Sequence, residues 1–294
     1  MRLIFCLVLL SAQDRYQIAP SMPVDSYKAV AWGDSQSGVG VFSQICASMR
    51  AERPQLVVGL GDYIQNATSQ AEWPILFLQP MGTLLAVPRI GTRGNHELPG
   101  DFAALVYNIP IVGGVGQWAA TTVGNVLWLI LDANDDSLGL RLSMDPGGPQ
   151  RRFLEQTVAS PAWRDARWRV AIWHQPCDVS LWYAPVCYYQ FYAQPRWREA
   201  MNLLASAGCS MVLNGHSHGL SMGAWPTATS PMVWITSGGG GGALDSACPA
   251  RLPQHDYVES AHHFLAMTFS PERLVVQVKR PDGTMIRQIE RLLR

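Results

Sequence analysis

Five short apolar runs, each ending in an Asp, Asn or His, constrain the fold of this chain more than any other feature of its sequence. In chain order the endings are Gly33-Asp34-Ser35-Gln36, Gly61-Asp62-Tyr63, Gly94-Asn95-His96-Glu97, His174-Gln175-Pro176 and Asn214-Gly215-His216-Ser217-His218. Short apolar runs of this kind predict buried strands. Polar groups at their ends are costly to bury unless they are paired or bind a metal. Because ligands bind beyond the carboxyl ends of strands in open α/β sheets, five such endings indicate one shared site.

The third ending, Gly94-Asn95-His96-Glu97, contains side chains suited both to metal binding and to proton transfer. The apolar residues between Leu84 and Ile90 predict the strand that leads to it, and Gly94 permits a sharp turn. The Asn95 carbonyl oxygen is able to bind a hard or borderline cation, and His96 is suited to metal binding or proton donation. Taken alone, Gly-Asn is also a common turn and His96 an ordinary surface residue. The other four endings give the motif its weight.

The ordered set Gly-Asp, Gly-Asp, Gly-Asn-His-Glu, His and Gly-His-x-His resembles the calcineurin-like metallophosphoesterase superfamily over roughly residues 28–242. The segments 148–155 and 235–242, the second ending in five glycines, are most similar to the purple acid phosphatase-like branch. The resemblance implies an α/β fold in which two mixed β-sheets form a sandwich flanked by helices. The residues themselves indicate an alternating β–α first half and a strand-rich end.

The resemblance also implies a metal centre with two divalent or trivalent ions. The six ligands it implies are Asp34, Asp62, Asn95, His174, His216 and His218. Asp62 matches the carboxylate that bridges both ions; Asp34 and His218 complete one ion's protein ligands, and the other three residues complete the second's. Such a mixed donor set suits Zn, Fe or Mn better than Ca or Mg, which prefer all-oxygen shells.

By the same resemblance, the chain is a phosphoesterase that hydrolyses phosphate esters by in-line attack of a metal-bound hydroxide. Asp62 and His96 are the catalytic residues, with His96 placed to assist the departing alcohol as a general acid or by hydrogen bonding. Arg93 either reaches a phosphate oxygen or is structural. The partner expected is a small phosphorylated substrate.

Two positions depart from the family pattern. Gln36 stands where many members carry a His, and a glutamine is a weaker ligand, which leaves direct and water-mediated contact with a metal both open. Gln65 stands where the purple enzymes carry a Tyr ligand three residues after the bridging Asp, while Tyr63 would point elsewhere. The sequence therefore predicts a member of the broader superfamily and not a purple enzyme.

Two alternative functions remain open. One is a phosphodiesterase or pyrophosphatase that acts on nucleotides or lipids through the same site. The other is a non-catalytic scaffold on the same fold, which predicts loss of ligand residues, whereas all six are present.

Composition excludes some classes of partner. The formal net charge is +0, so nothing indicates a general electrostatic attraction to nucleic acid or acidic membranes. With 48% hydrophobic and 15% charged residues, the chain is typical of an ordered globular protein. None of the cysteines has the paired spacing of a zinc–thiolate site.

The N-terminus resembles a short secretory signal, with Arg2 followed by an apolar run from Leu3 to Leu10. Residues 1–13 are predicted as the signal and residues 14–294 as a single domain, which predicts a secreted or periplasmic protein. Leu10 fits poorly where a small residue is preferred, so a hydrophobic N-terminal extension is the alternative. No later segment has the length and hydropathy of a membrane span.

The remaining pattern predicts ordinary elements and two segments with two interpretations each. The predicted elements include helices over 39–53, 70–81 and 195–207, a strand over 55–60, and a hairpin within 117–132 that turns at Gly124-Asn125. The glycine run 238–242 either cradles phosphate or forms a flexible turn. The aromatic loop 177–195, which contains Trp182, either offers a stacking platform or packs over the core.

Overall fold

The computed structural model describes residues 25–66, 68–69, 71–97, 118–134, 144–182, 194–227, 231–248 and 254–292. The predicted signal segment lies outside these residues, so the division into residues 1–13 and 14–294 stays a prediction. In the part of the chain described, no helix has the length and hydropathy needed to cross a bilayer.

The described residues contain fifteen strands. They are β1 Tyr27–Trp32, β2 Leu56–Gly59, β3 Arg89–Gly91, β4 Ala119–Val123, β5 Val126–Ile130, β6 Trp168–Ile172, β7 Leu181–Trp182, β8 Met211–Asn214, β9 Leu220–Trp225, β10 Met232–Ser237, β11 Ser246–Ala247, β12 His255–Glu259, β13 Phe264–Phe269, β14 Arg273–Lys279 and β15 Met285–Leu292.

Helices occupy the connections between many of these strands. The α-helices are α1 Val39–Ala51, α2 Gln79–Met81, α3 Pro149–Ala159, α4 Pro161–Asp165 and α5 Gln194–Ser206. A π-helix, Trp73–Leu78, precedes α2, and two short 3₁₀ helices cover Gly82–Ala86 and Asn95–Glu97. The buried face of α1 carries Phe42, Ile45, Cys46 and Met49, the spacing of an amphipathic helix.

The strands form two large mixed sheets. One has the order β15-β14-β13-β1-β2-β3, and the other has the order β12-β9-β10-β8-β6-β5-β4. Strands β1, β2 and β3 run parallel to one another, as do β5, β6, β8 and β10. A small third sheet pairs β7 with β11.

Three buried clusters set the order of the layers. The first joins alternate residues of both large sheets, among them Val58 and Ile172, so the two sheets pack face to face. The second covers the outer face of the seven-stranded sheet with α3, α4 and α5, and the third covers the other sheet with α1 and the π-helix. Burying one large apolar side chain contributes about 1.5–3 kcal/mol. The predicted sandwich of two mixed sheets flanked by helices is confirmed.

The strand predicted between Leu84 and Ile90 is only partly correct. Residues Gly82–Ala86 form a 3₁₀ helix, and the strand itself covers only Arg89–Gly91. Pro88 lacks an N–H and holds Val87 in an extended conformation, so the strand begins only after the proline. A short apolar run does not distinguish a buried helical turn from a strand.

The hairpin and the later helices follow the sequence pattern. Strands β4 and β5 pair from Val123 opposite Val126, with Gly124 at the turn in the left-handed region at φ 57°. The helix predicted over 195–207 corresponds to α5. The helix predicted over 70–81 is formed by the π-helix followed by α2.

The glycine run joins the two sheets where β1 and β10 end. The amides of Gly238, Gly240 and Gly242 donate to the carbonyls of Gly219 (3.1 Å), Gly33 (2.9 Å) and Asp34 (2.8 Å), respectively. These three amides are bonded to protein carbonyls, so the run acts as a backbone connection rather than an open cradle of amides.

We expect Gly240→Ala to lower the free energy of unfolding by at least about 1–3 kcal/mol, the usual effect of overpacking. An added Cβ would lie 2.2 Å from the Gly33 carbonyl oxygen and 2.7 Å from Trp32 Cδ1. Gly40→Ala in α1 is the matched control, because its Cβ would meet nothing within 4 Å. That variant should gain up to about 1 kcal/mol, since alanine is favoured over glycine in helices. Chemical denaturation measures both, and equal stabilities for the two variants would contradict the tight backbone contact.

Candidate metal centre

Three strand endings hold a non-glycine residue in the left-handed backbone region. Asp34 after β1 has φ 63°, Asp62 after β2 has φ 54°, and His216 after β8 has φ 69°. This conformation costs roughly 1–2 kcal/mol for an L-residue. Strained residues cluster at functional sites, so the backbone alone marks these loops as candidates for function.

Two groups of ligand-type side chains meet at these loops. One consists of Asp62, His174 and His216, and the other of Asp34, Asp62 and His218. Within each group the candidate ligand atoms all lie within 4.8 Å of one another. Asp62 belongs to both groups. The structure thus brings five of the six expected ligands together, with one carboxylate shared between two adjacent metal-sized positions.

The closest contacts within these groups join the two sheets. His174 Nε2 lies 3.3 Å from Asp62 Oδ2 and 4.0 Å from Asp34 Oδ1. His218 Nε2 lies 3.4 Å from Asp34 Oδ1, and His216 Nδ1 lies 3.2 Å from His174 Nε2. Residues after β1 and β2 therefore face residues after β6 and β8 across the sandwich.

Backbone carbonyls orient the imidazoles. The Leu60 carbonyl lies 2.6 Å from His174 Nδ1, and the Ala243 carbonyl lies 2.6 Å from His218 Nδ1. A carbonyl only accepts, so each Nδ1 carries the hydrogen and donates it. In the neutral imidazole this leaves the Nε2 lone pair directed to the centre, which is the usual way a neighbouring group fixes a metal-binding His.

Asn95 supplies the observation that tests whether these residues fit a metal. Its Oδ1 atom is buried and accepts no hydrogen bond from any described residue. A buried acceptor without a partner costs about 1–3 kcal/mol. A cation at this oxygen would remove that cost, so Asn95 and the Asp/His groups fit the Zn, Fe or Mn expected from the sequence.

The titratable groups of the centre are shifted in opposite directions. Burial disfavours ionised Asp62, but the neighbouring His174, His96 and His216 outweigh burial and hold its pKa below the usual range. Burial also disfavours protonated His174, yet the carboxylates of Asp62 and Asp34 raise its pKa to about 10. Burial and His174 lower the pKa of His216 to about 3. Opposed shifts within one buried cluster are typical of functional sites.

The Asp34 side of the centre behaves similarly. Burial raises the pKa of Asp34, which lies at 0% exposure. Burial opposes protonation of His218, but its contact with Asp34 raises the pKa of the imidazole to about 9. Metal ligands must be deprotonated, so cations placed between these carboxylates and imidazoles would compete with protons for the same atoms.

Gln36 and Arg93, the two additional candidates, lie in different places. Gln36 Nε2 is 3.2 Å from Asp62 Oδ2 and 3.3 Å from His218 Nε2, so this amide belongs to the cluster. Arg93 instead extends to the end of β5, where its Nε lies 2.6 Å from an oxygen of the buried Asp132. Asp132 is thus the ion-pair partner of Arg93.

His96, the expected catalytic residue, lies at the rim of the centre. The side chain is 24% exposed, and its Nε2 is 3.8 Å from Asp62 Oδ2. Its Nδ1 donates to the Gln65 carbonyl at 2.7 Å, which orients the ring. Tyr63 points away from the centre, because its hydroxyl donates to the Thr92 carbonyl at 2.5 Å.

Two carboxylates that support the centre were not predicted. The buried Glu97 accepts backbone N–H groups from Asp62, Tyr63 and Gly94, and Asp245 Oδ2 accepts the His218 N–H at 2.7 Å. Burial and the Asp62 carboxylate raise the pKa of Glu97 to about 8, although the Gly94 N–H, the neighbouring His174 and the Asp62 N–H oppose that rise. Glu97 was visible in the sequence as the last residue of its motif. No sequence signal identifies Asp245.

Of the aromatic residues in the loop 177–195, the described one is Trp182, and its ring lies beside the centre. Its ring centroid lies 5.3 Å from that of His216, with the planes tilted by 38°. Trp182 is partly exposed at the end of β7. Residues 183–193, which hold all the other aromatic side chains of this loop, lie outside the described part.

A comparison with protein families decides the family. The model described as calcineurin-like phosphoesterase matches residues 30–220, more than half of the chain. The chain belongs to the calcineurin-like phosphoesterase family. This confirms the resemblance seen in the motifs. With the Asp/His groups of the centre, membership supports a metal-dependent hydrolase of phosphoesters.

Solved structures show the same fold at low sequence identity. A purple acid phosphatase, PPD1, from yellow lupin (Lupinus luteus) seeds has a TM-score of 0.73 at 17% identity over 94% of this chain and 54% of its own, so the chain spans about half its length. GAP50, described as the anchor in the inner membrane complex of Plasmodium, has a TM-score of 0.66 at 13% identity over 92% of this chain and 89% of its own. PhoD has a TM-score of 0.63 at 14% identity over 93% of this chain and 70% of its own. No curated protein matches the chain.

Proposed function

We propose that this member of the family is a dinuclear metal-dependent phosphoesterase that hydrolyses phosphate esters of small molecules. The observation that carries the proposal is the pair of ligand groups that share the buried carboxylate of Asp62. Bound metal ions supply an activated water and neutralise charge on the phosphoryl oxygens. The chain's own residues position those ions and handle the leaving group.

Asp62 has the strongest case for the bridging role. A carboxylate between two cations reduces their mutual repulsion, which a neutral amide of the same size does not do. Asp34 and His218 complete one set of ligands, and His174, His216 and Asn95 complete the other. We propose Zn, Fe or Mn, because Asp, Asn and His together suit these metals.

His96 is proposed to serve the leaving group. Its Nδ1 is engaged by the Gln65 carbonyl, so in the protonated ring Nε2 is the nitrogen left to donate. This atom lies 3.8 Å from Asp62 Oδ2, beside the centre and at its exposed rim. A proton donor there is placed to stabilise the oxygen of the departing alcohol.

Arg93 is proposed as a contact for a phosphate oxygen. Its Nε is held by Asp132, while no described residue is bonded to its two Nη groups. The side chain is 13% exposed, so these groups are available to an anion that approaches the rim. An arginine already fixed by one nitrogen loses little further freedom when it binds phosphate.

We expect Asp62→Asn to lose one metal or both and nearly all hydrolysis, because the variant keeps the shape but not the charge. Gln36→Ala is the control within the same cluster, and we expect it to lose no more than roughly 10–100-fold, as for a supporting residue. Metal content after exposure to Mn²⁺ and Zn²⁺, together with phosphate release, measures both variants. An Asp62→Asn protein with two metals and most of its activity would show that the bridge lies elsewhere, and a wild-type protein that takes up no metal would reject the proposed function.

We expect His96→Ala to slow turnover by roughly 10²–10⁴-fold with metal content nearly unchanged, as for loss of a general acid. The loss should be larger for alkyl phosphates than for nitrophenyl phosphate, because the nitrophenolate leaves without protonation. Rates on both substrates at saturating metal provide the comparison. Equal losses on the two would assign His96 another role.

A second candidate function is hydrolysis of phosphodiesters or pyrophosphates on nucleotides, and Trp182 is the observation that favours it. A ring beside His216 offers a stacking surface for a nucleobase next to the metal positions.

We expect Trp182→Ala to lower kcat/KM for nucleotide substrates by about tenfold, the upper range for an aromatic pair, and that for glycerol phosphate far less. Trp182→Phe should keep most of the wild-type kcat/KM for nucleotide substrates, because it retains an aromatic ring. A substrate panel with added Mn²⁺ and Zn²⁺ makes the test, and a uniform loss across the panel would argue for packing against His216 instead.

Two further proposals concern a scaffold role and export. A scaffold role is disfavoured because the ligand residues are present and five of them converge. We propose export through the N-terminal segment, and sequencing the N-terminus of the mature protein tests it. An intact Met1 would reject cleavage.

A further inference from the structure

Glu97 is a buried carboxylate that serves neither as a ligand nor as a catalytic group in the proposed function. Its exposure is 0%. Oε2 accepts the N–H groups of Asp62 at 2.7 Å and Gly94 at 2.6 Å, and Oε1 accepts that of Tyr63 at 2.8 Å. Both oxygens are therefore directed at backbone amides, and Glu97 belongs to neither group of candidate ligands.

The three donors come from two different loops. Asp62 and Tyr63 follow β2, and Gly94 follows β3, its parallel neighbour. One side chain thus ties the loop that carries Asp62 to the loop that carries Asn95. The loops are in close contact, since a Cβ at Gly94 would lie 2.0 Å from Asp62 Oδ1.

The hydrogen bonds of Glu97 hold a residue whose backbone is strained. Asp62 is held at φ 54°, and its own N–H is one of the three that Glu97 accepts. The His96 N–H then donates to Asp62 Oδ1 at 2.9 Å. Backbone and side chain of Asp62 are both fixed, which leaves Oδ2 directed towards His174 at 3.3 Å.

A carboxylate is the side chain that suits this position. When ionised, it offers two acceptor oxygens and no donor, which matches the three converging N–H groups of Asp62, Tyr63 and Gly94. A glutamine would turn its NH₂ towards at least one of them. An aspartate is one methylene shorter and would reach the two loops less well.

We propose that Glu97 is a positioning residue that holds the two loops at the spacing at which Asp62 and Asn95 bind the same metal ion. The proposal rests on the proposed function, and Glu97 acts through Asp62 rather than on substrate. Its removal therefore changes metal affinity and ligand geometry first and turnover as a consequence.

The test compares Glu97→Gln and Glu97→Asp with Glu52→Gln. Glu52 is a matched control, because its carboxylate also bonds to other residues, Lys28 and Lys279, but at the C-terminal end of α1. The measurements are the Kd for Mn²⁺ and Zn²⁺, the visible spectrum of the Co²⁺-loaded protein, and circular dichroism of the metal-free protein.

We expect Glu97→Gln to stay folded, to raise both Kd values by roughly 10–100-fold and to alter the Co²⁺ spectrum. Glu97→Asp should fall between this variant and wild type. Hydrolysis by Glu97→Gln should recover in large part at saturating metal, and Glu52→Gln should match wild type in Kd and spectrum.

Three results would overturn the role of Glu97. These are wild-type Kd values and spectrum in Glu97→Gln, equal changes in Glu52→Gln, or failure of both Glu97 variants to fold, which would make the residue part of the fold. If the wild-type protein binds metal and hydrolyses phosphoesters, and Glu97→Gln has the same Kd values and Co²⁺ spectrum, only this inference is rejected. A wild type that binds no metal rejects the proposed function and this inference together.

Discussion

The buried carboxylate of Asp62 is the interaction on which the rest of the centre depends. It is 1% exposed, and its oxygens contact His174 from the opposite sheet, Gln36 and the backbone of His96. A buried charge is tolerated only where partners surround it. The two sheets therefore meet at this point through electrostatics as well as through apolar packing, and a pair of cations would fit the same charge distribution.

Backbone contacts hold that arrangement in place. The glycine run 238–242 connects the ends of the two sheets. The Gly240 amide donates to the Gly33 carbonyl, and the Gly242 amide donates to the Asp34 carbonyl. Glu97 performs a similar task between the loops after β2 and β3. Because these ties are made by groups of the chain itself, they hold the loops that carry the candidate ligands in place, as in a preorganised site.

Much of the fold was predictable because local patterns suffice for it. The spacing of Phe42, Ile45 and Met49 predicted α1, and alternation around Gly124-Asn125 predicted the β4–β5 hairpin. The strand predicted between Leu84 and Ile90 was wrong over residues 84–86, which belong to the 3₁₀ helix Gly82–Ala86. Apolar residues occur in both elements, and only pairing with β2, which begins after Pro88, decides between them.

The sequence by itself determined the ordered motifs that place the chain in its family, most of the helices and strands, and the residue types at the five strand ends, because each of these is encoded within a few neighbouring positions. The sandwich of two sheets was implied only by the family resemblance. Only the tertiary structure decided that Asp62 lies between two ligand groups, that Arg93 pairs with Asp132, and that Trp182 rests against His216. These contacts join residues tens of positions apart in the chain, on different strands and loops. Their geometry depends on how the two sheets pack, which no local pattern specifies.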